Sequence, residues 1–259
     1  MSNRLCVIGS GFVGRHFIQH SAKHFETITS TSNTSPKPQH SHQHIFLNIY
    51  DNAPLPKLGD HDIFIVTIPF SRQLKAPEDY EKGIQKLVPQ LKNKKVIFTS
   101  STSVYSNNGH CTEDTPTAKT RRSKALVNVE NLLLNISESA YILRLGGICG
   151  KQRSSQHKRQ STLVSHANAR VNLIHIDDII LVMHKLCQKE FNNKDIINIV
   201  CTDHPTRQDY YQYICDIFND PYPTFTSSDQ SFKTVSNKKL INLYNVNLKF
   251  PSPLSFQFS

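Results

Sequence analysis

Gly9, Gly11 and Gly14 fall in the run Gly9-Ser10-Gly11-Phe12-Val13-Gly14. Glycines so spaced let a chain turn sharply and bring backbone N–H groups against an anion. Gly9 permits the tight turn, Gly11 the close approach of a diphosphate, and Gly14 the seating of a helix on a strand. Phe12 and Val13 then open the helix, whose unpaired N–H groups hold negative charge. A second set is hydroxylic: Thr99-Ser100-Ser101-Thr102-Ser103-Val104-Tyr105. Such groups orient a reacting oxygen or, at a strand end, bond to the backbone. A third set is basic, with Lys151, Arg153, Lys158 and Arg159 in one polar stretch. Guanidinium groups pair with phosphate oxygens in a fork, so Arg153 and Arg159 are the expected contacts of an anionic substrate; a solvated loop is the plainer reading. His40, His42 and His44 alternate as metal ligands would. Without Cys or carboxylate company they read instead as a solvated loop or edge, and no metal is expected.

These groups need elements to hold them. Arg4 to Ile8 reads as a short buried strand directly ahead of the glycine run, and Phe17, Ile18 and Ala22 begin helical spacing after it. Strand, G-x-G-x-x-G turn and helix in that order form the context of a dinucleotide fingerprint, which predicts a Rossmann-type fold. The second strand is predicted over Phe25 to Ser30, and its end faces the coenzyme ribose. There Thr31 and Ser32 are the expected contacts, and no carboxylate repels a 2′-phosphate, which favours NADP over NAD. The third strand is predicted over Ile45 to Ile49, with Asp51 after it as a further coenzyme contact. Asp62 to Val66 is the fourth, and Thr67 and Pro69 leave its carboxyl end, where an open parallel sheet places its ligand. Ile84, Leu87, Val88 and Leu91 predict an amphipathic crossover helix over Tyr80 to Leu91. Lys95 to Phe98 runs into the hydroxyl set, where Ser100 is another expected coenzyme contact. Residues 106–122 read as loop, followed by a helix burying Leu126, Val129, Leu133 and Ile136. Tyr141 to Leu145 and Ile196 to Val200 complete seven strands, and Arg144 among apolar neighbours needs a partner if buried. Thr206 with Asp209 reads as a capped helix start, and the tail holds one short helix.

With 259 residues the chain can bury one large core with a smaller appendage. The longest apolar stretch, Ile63 to Phe70, is interrupted by Thr67 and Pro69 and falls short of a membrane span. No basic region precedes an apolar run at the N-terminus, which argues for a cytoplasmic protein. Six scattered cysteines without a C-x-x-C pair suggest buried free thiols. The formal charge of +10, from 30 Lys and Arg against 20 Asp and Glu, attracts anions. Nucleic acid is one such partner, but the positive residues are dispersed and form no recognised nucleic-acid motif. Phosphorylated coenzymes and substrates account for the charge equally well.

The stretches GSGFVG (9–14), TSSTSVY (99–105), EDTP (113–116), ILRLGGICG (142–150) and NLIHIDDI (172–179) together resemble an extended, atypical short-chain dehydrogenase/reductase, the superfamily of NAD-dependent epimerases and dehydratases. The resemblance spans residues 5 to about 218, with INIVCTDHPTRQDYYQYI (197–214) as its last strand and helix. It implies an α/β fold: a doubly wound, seven-stranded parallel sheet with a small discontinuous C-terminal substrate domain. Residues 1–150 with 175–200 would form the coenzyme domain, and 151–174 with 201–259 the substrate domain. It implies NADP or NAD at the carboxyl edge of the sheet, an oxidoreductase or isomerase activity, and a monomer or homodimer. His175 becomes a candidate substrate contact or a structural hinge.

Working members of that superfamily carry a Tyr and, four residues later, a Lys on the helix after strand five. The Lys stabilises the tyrosinate, because a phenol of pKa ~10 is a poor base until a cation holds its anion. Ser101, four residues before Tyr105, matches the hydroxyl that orients the reacting oxygen. Here the chain departs from the pattern. Counting back from Lys124 gives Thr120, and aligning on Glu130 puts Arg122 and Leu126 in the two places. Ser101, Tyr105 and Lys124 remain the candidate catalytic residues. Three readings follow: an NAD(P)-binding oxidoreductase or epimerase/dehydratase-like enzyme with an altered catalytic set, acting on a small or nucleotide-linked carbonyl or sugar; a non-catalytic dinucleotide sensor or interaction module; and a nucleic-acid-binding protein.

Overall fold

A computed structural model describes residues 4–34, 42–71, 74–107, 109–151, 153, 163–188, 190–226 and 233–258. Strand β1 (Arg4–Ile8) is buried from Leu5 onward, as its continuous apolar run requires of a strand covered on both faces. It pairs in parallel with β2 (Thr27–Ser32) on one side and β4 (Ile63–Val66) on the other. Strand β3 (Gln43–Phe46) continues past β2, and β5 (Lys95–Ser101) past β4, both in parallel. Strands β6 (Ser139–Leu145) and β7 (Lys194–Ile199) complete one seven-stranded sheet in the order β7-β6-β5-β4-β1-β2-β3. The order reverses between β1 and β4, which makes a topological switch point. The register sets Ile8, Thr31 and Val66 side by side, so Gly9, Ser32 and Thr67 leave the sheet at one edge.

Helix α1 (Phe12–Ser21) returns from that edge, burying Val13, Phe17 and Ile18. The crossover helix expected over Tyr80 to Leu91 is broken into α2 (Glu78–Gln85) and α3 (Val88–Leu91). Pro89 lies in the first turn of the second piece; it has no N–H to continue the first and its ring clashes with the preceding turn. Strands β2 and β3 also lie off their expected spans. Leu47 and Ile49, expected within β3, instead turn into the core, where Ile49 packs over Gly83 of α2. A Cβ on Gly83 would stand 2.7 Å from the Ile49 side chain. Helix α4 (Arg121–Ile136) follows β5, with Thr120 as its N-cap accepting the Ser123 N–H at 3.1 Å.

The chain divides into two compact units. One comprises Met1–Val104, Thr117–Arg144 and Ile180–Ile196; the other comprises Tyr105–Pro116, Leu145–Ile179 and Ile197–Ser259. Tyr105–Pro116, expected in the coenzyme half and largely as loop, lies in the second unit. The reason is a short parallel pair: Gly109–Cys111 lies against Lys233–Val235. Helix α5 (Ile176–Leu186) begins in that unit, and α6 (Arg207–Phe218) opens with the capping box formed by Thr206 and Asp209. No helix among the described residues is long and apolar enough to cross a membrane.

Candidate coenzyme site

The three glycines of the first turn serve three different physical needs. Gly9 has φ +98°, a conformation that side chains rarely adopt. Its N–H is held by the Thr31 carbonyl and by Thr31 Oγ1, both at 3.2 Å, and Thr67 Oγ1 donates to its carbonyl. A Cβ on Gly14 would meet that same carbonyl and would stand 2.9 Å from Thr67 Oγ1, so close packing excludes a side chain there. Gly11 is different, since nothing lies within 4 Å of a Cβ built on it. It is the N-cap of α1, without a side-chain cap, and the first turn, Phe12 and Val13 included, carries no acidic residue. Open space beside bare helix N–H groups fits the diphosphate of a dinucleotide. Thr31 and Thr67, expected as coenzyme contacts, both bond to Gly9 in this turn.

At the end of β2, Ser32 Oγ donates to the Thr34 carbonyl at 2.7 Å and is bonded to His44 Nε2 at 3.1 Å. Ser30 Oγ lies between His42 Nε2 (2.9 Å) and His44 Nδ1 (2.8 Å). These histidines, which alternate in the sequence, brace hydroxyls of the neighbouring strand. His40 lies outside the described residues. Asp51 accepts Asn48 Nδ2 at 2.7 Å, and its carbonyl is held by Lys86 Nζ. That bond ties Asp51 to the residue that follows α2. Pro69 is exposed beyond Thr67.

Beyond β4 and β5, Ser100 Oγ donates to Glu130 Oε1. Glu130 is 0% exposed and is paired with Arg144, 3% exposed, through Nη2 at 2.7 Å and Nε at 3.2 Å. This is the partner that buried Arg144 requires, and it ties Ser100 to the interior. Ser101 Oγ accepts the Ser103 N–H at 3.1 Å and remains partly exposed. Ser123 Oγ donates to the Val104 carbonyl at 2.7 Å, fixing the start of α4 against the turn that follows β5. Lys124 is exposed on the first turn of that helix, and Leu126 is buried. The Arg122 guanidinium stands over the Phe70 ring, 4.5 Å from its centroid. Phe70 in turn lies 5.2 Å from the ring of Tyr80. Sequence reasoning missed Tyr80 as a neighbour of this edge. Its hydroxyl donates to the Ile68 carbonyl at 2.9 Å, and burial holds its pKa far above the ordinary phenol value.

In the second unit, Tyr105 is 2% exposed and donates its hydroxyl to Asn198 Oδ1 at 2.8 Å. Asn198 also donates its backbone N–H to Glu113 Oε1 and its side-chain amide to the Ser236 carbonyl. The Tyr105 phenol thus serves as an anchor within this unit, whereas Ser101 and Lys124 belong to the other. His175 is buried as well: Nε2 is bonded to the Gln257 carbonyl at 3.1 Å and Nδ1 accepts the Asp177 N–H at 3.2 Å. Phe250 packs 4.1 Å from its ring, and burial lowers its pKa. His175, a candidate substrate contact from the sequence, forms one side of a clamp on the tail. Asp178, fully buried, completes the clamp by accepting the backbone N–H groups of Lys249 (2.6 Å) and Phe250 (3.1 Å). Arg153 is exposed and pairs with Gly150 through backbone bonds in both directions. Arg159 lies outside the described residues.

No protein-family model matches the chain. Protein YeeZ of Escherichia coli K12 is 29% identical over 214 residues, which covers 80% of this chain and 78% of YeeZ. A putative NAD-dependent epimerase/dehydratase from Methylobacillus flagellatus superposes with a TM-score of 0.73 at 21% identity, covering 98% of this chain and 96% of that one. MoeE5 in complex with UDP-glucuronic acid and NAD superposes with a TM-score of 0.76 at 13% identity, covering 98% and 97%. The seven-stranded order, the glycine turn at its switch point and these likenesses agree: the chain has the Rossmann-type fold of the NAD-dependent epimerase/dehydratase enzymes of the short-chain dehydrogenase/reductase superfamily.

Proposed function

We propose that this chain binds a pyridine dinucleotide at the carboxyl edge of its sheet and belongs among oxidoreductase or epimerase/dehydratase-like enzymes with an altered catalytic set. The observation that carries the reading is the open space at Gly11 beside the uncapped start of α1. Gly9 to Gly14 would hold the diphosphate, and Ser32 with His44 would meet the adenosine ribose. The absence of a carboxylate over Thr27–Ser32 favours the 2′-phosphate of NADP. Bound there, the coenzyme supplies hydride transfer. Ser101 is the hydroxyl left to orient a reacting oxygen, and Lys124, exposed on the first turn of α4, is the candidate ammonium group. The net charge of +10 and exposed Arg153 favour an anionic substrate, small or nucleotide-linked. The reading places the chain in the cytoplasm as a monomer or homodimer.

A second reading, a coenzyme-binding module without turnover, draws support from α4. Thr120 is used as a cap, Leu126 is buried, and Arg122 stands on Phe70, so none supplies a phenol or its activating ammonium. Losing one positioned proton-transfer group costs roughly 10²–10⁴ in rate. Calorimetric titration with NADPH and NADH side by side, followed by hydride exchange from deuterated coenzyme into a panel of carbonyls and UDP-sugars, separates the two. The enzyme reading expects slow exchange that falls in Ser101→Ala. Binding without exchange leaves the module reading, and no binding of either coenzyme removes both.

A further inference from the structure

We infer that a second cavity, at the edge of the sheet opposite the glycine turn, binds a phosphate monoester with an apolar or aromatic body. This site goes beyond the coenzyme reading and does not depend on it.

The cavity has a volume of about 780 Å³, within the range that takes small ligands. Asp60 and Lys94, which line it, stand just ahead of β4 and β5, and both strands run in parallel with β1. The cavity therefore lies at the amino edge of the sheet, whereas Gly9 leaves the carboxyl edge. One wall is the segment 52–60, where Pro54 and Pro56 fix their own φ and stiffen the chain. The other wall is α3. Gln90 on that helix ties the two together: its Oε1 accepts the Leu58 N–H at 2.7 Å, and its Nε2 donates to the Pro56 carbonyl at 3.3 Å. Leu58 is buried. The walls are thus set before a ligand arrives, which lowers the cost of ordering them on binding.

Pro54, Leu55 and Pro89 give the lining its apolar part, and Lys57, Lys86 and Lys94 bring three ammonium groups to it. Asp60 brings a carboxylate, which is shared by Lys94 at 2.8 Å and Arg4 at 2.9 Å. Lys86 donates to the Asp51 carbonyl, a neutral acceptor, and has no ion pair among the described residues. Lys57 has neither a hydrogen bond nor an ion pair among the described residues. Two ammonium charges therefore stand beside apolar walls with no carboxylate of their own among the described residues. A phosphate monoester is a dianion and matches that count, and lysine meets phosphate as a point charge. An apolar body on the same molecule covers the proline and leucine surface and takes it out of water.

The test is an amide-resolved NMR titration of the full chain with phenyl phosphate, beside inorganic phosphate and phenol as its separate halves. The expected result is a saturable shift of the Ala53, Leu55 and Gly59 amides with phenyl phosphate, at lower concentration than with either half. Lys57→Gln and Lys86→Gln should each weaken binding about fivefold, the scale of an exposed charge pair, and the double variant should lose it. Lys92→Gln, at an exposed lysine outside the lining, should leave it unchanged. Thermal unfolding of each variant confirms that it is folded. No saturable shift at those amides, equal binding in the double variant, or equal binding of benzoate overturns the inference. Shifts confined to residues 9–14 also overturn it, and they leave the coenzyme reading intact.

Discussion

The glycine turn is where single residues decide most. Gly14→Ala must push a methyl group against the Gly9 carbonyl and Thr67 Oγ1, so it should destabilise the fold by about 1–3 kcal/mol, read as a lower urea midpoint. Gly11→Ala meets no atom within 4 Å and should leave that midpoint where it is. The buried Glu130–Arg144 pair gives a second contrast. Glu130→Leu strands a buried guanidinium and should cost about 3–5 kcal/mol, while adding Arg144→Met should recover much of the loss. If the double variant is no more stable than the single one, the pair is not the source of the cost. The glycines could be read in the sequence because their constraint is local: a turn, a close approach and a packed crossing within six residues. Tyr105 and His175 could not be placed the same way. Asn198 and Gln257, their partners, lie 93 and 82 residues away in sequence, and no local pattern announces such a bond.

Among the elements, runs of apolar residues located the inner strands β1, β4 and β6, because a strand buried on both faces is apolar nearly throughout, while β2 and β3 at one side of the sheet carry Thr, Ser, Gln and His and were found only approximately. Their ends were harder to read: β3 begins at Gln43 because its polar residues pair with the hydroxyls of β2, and Ile49 leaves for the core. Pro89 divides the crossover helix that the apolar spacing of Ile84, Leu87, Val88 and Leu91 predicts as one piece, because that spacing says nothing of a missing N–H. The capping box at Thr206 was legible, since its two partners stand three residues apart. The clamp on the tail was not. Asp178 accepts two backbone N–H groups from Lys249 and Phe250, so Asp178→Ala leaves both donors unpaired in a buried place. It should cost about 2–4 kcal/mol and expose the tail to limited proteolysis before the rest of the chain unfolds. Unchanged protease resistance would show that the tail is held by other contacts.

At the scale of the whole molecule, burial sets how the shifted histidines titrate. His61, His175, His184 and His204 all have pKa values lowered from 6.5, chiefly because burial disfavours the imidazolium. As pH falls below 6.5 the unfolded chain takes up protons that the native state refuses, so stability should drop through that window. Asp178, raised by burial, acts in the opposite sense, one carboxyl against four imidazoles. Urea midpoints at pH 7.5 and 5.5 check this: a lower midpoint at 5.5 is expected, and a higher one would contradict it. The six cysteines are buried, and burial pushes Cys6 and Cys187 up to about 12. A thiol reagent at pH 8 should therefore find them only after unfolding. The charge of +10 should give no nucleic-acid binding near physiological salt if its partners are phosphorylated small molecules. Coenzyme binding depends on the space at Gly11. Its most direct test is calorimetric titration of the parent and Gly11→Ala with NADPH and NADH. Binding in the parent that weakens by at least about tenfold, or about 1.4 kcal/mol, with no loss of thermal stability is the result expected. Equal binding in the two proteins, or none in the parent, would contradict it.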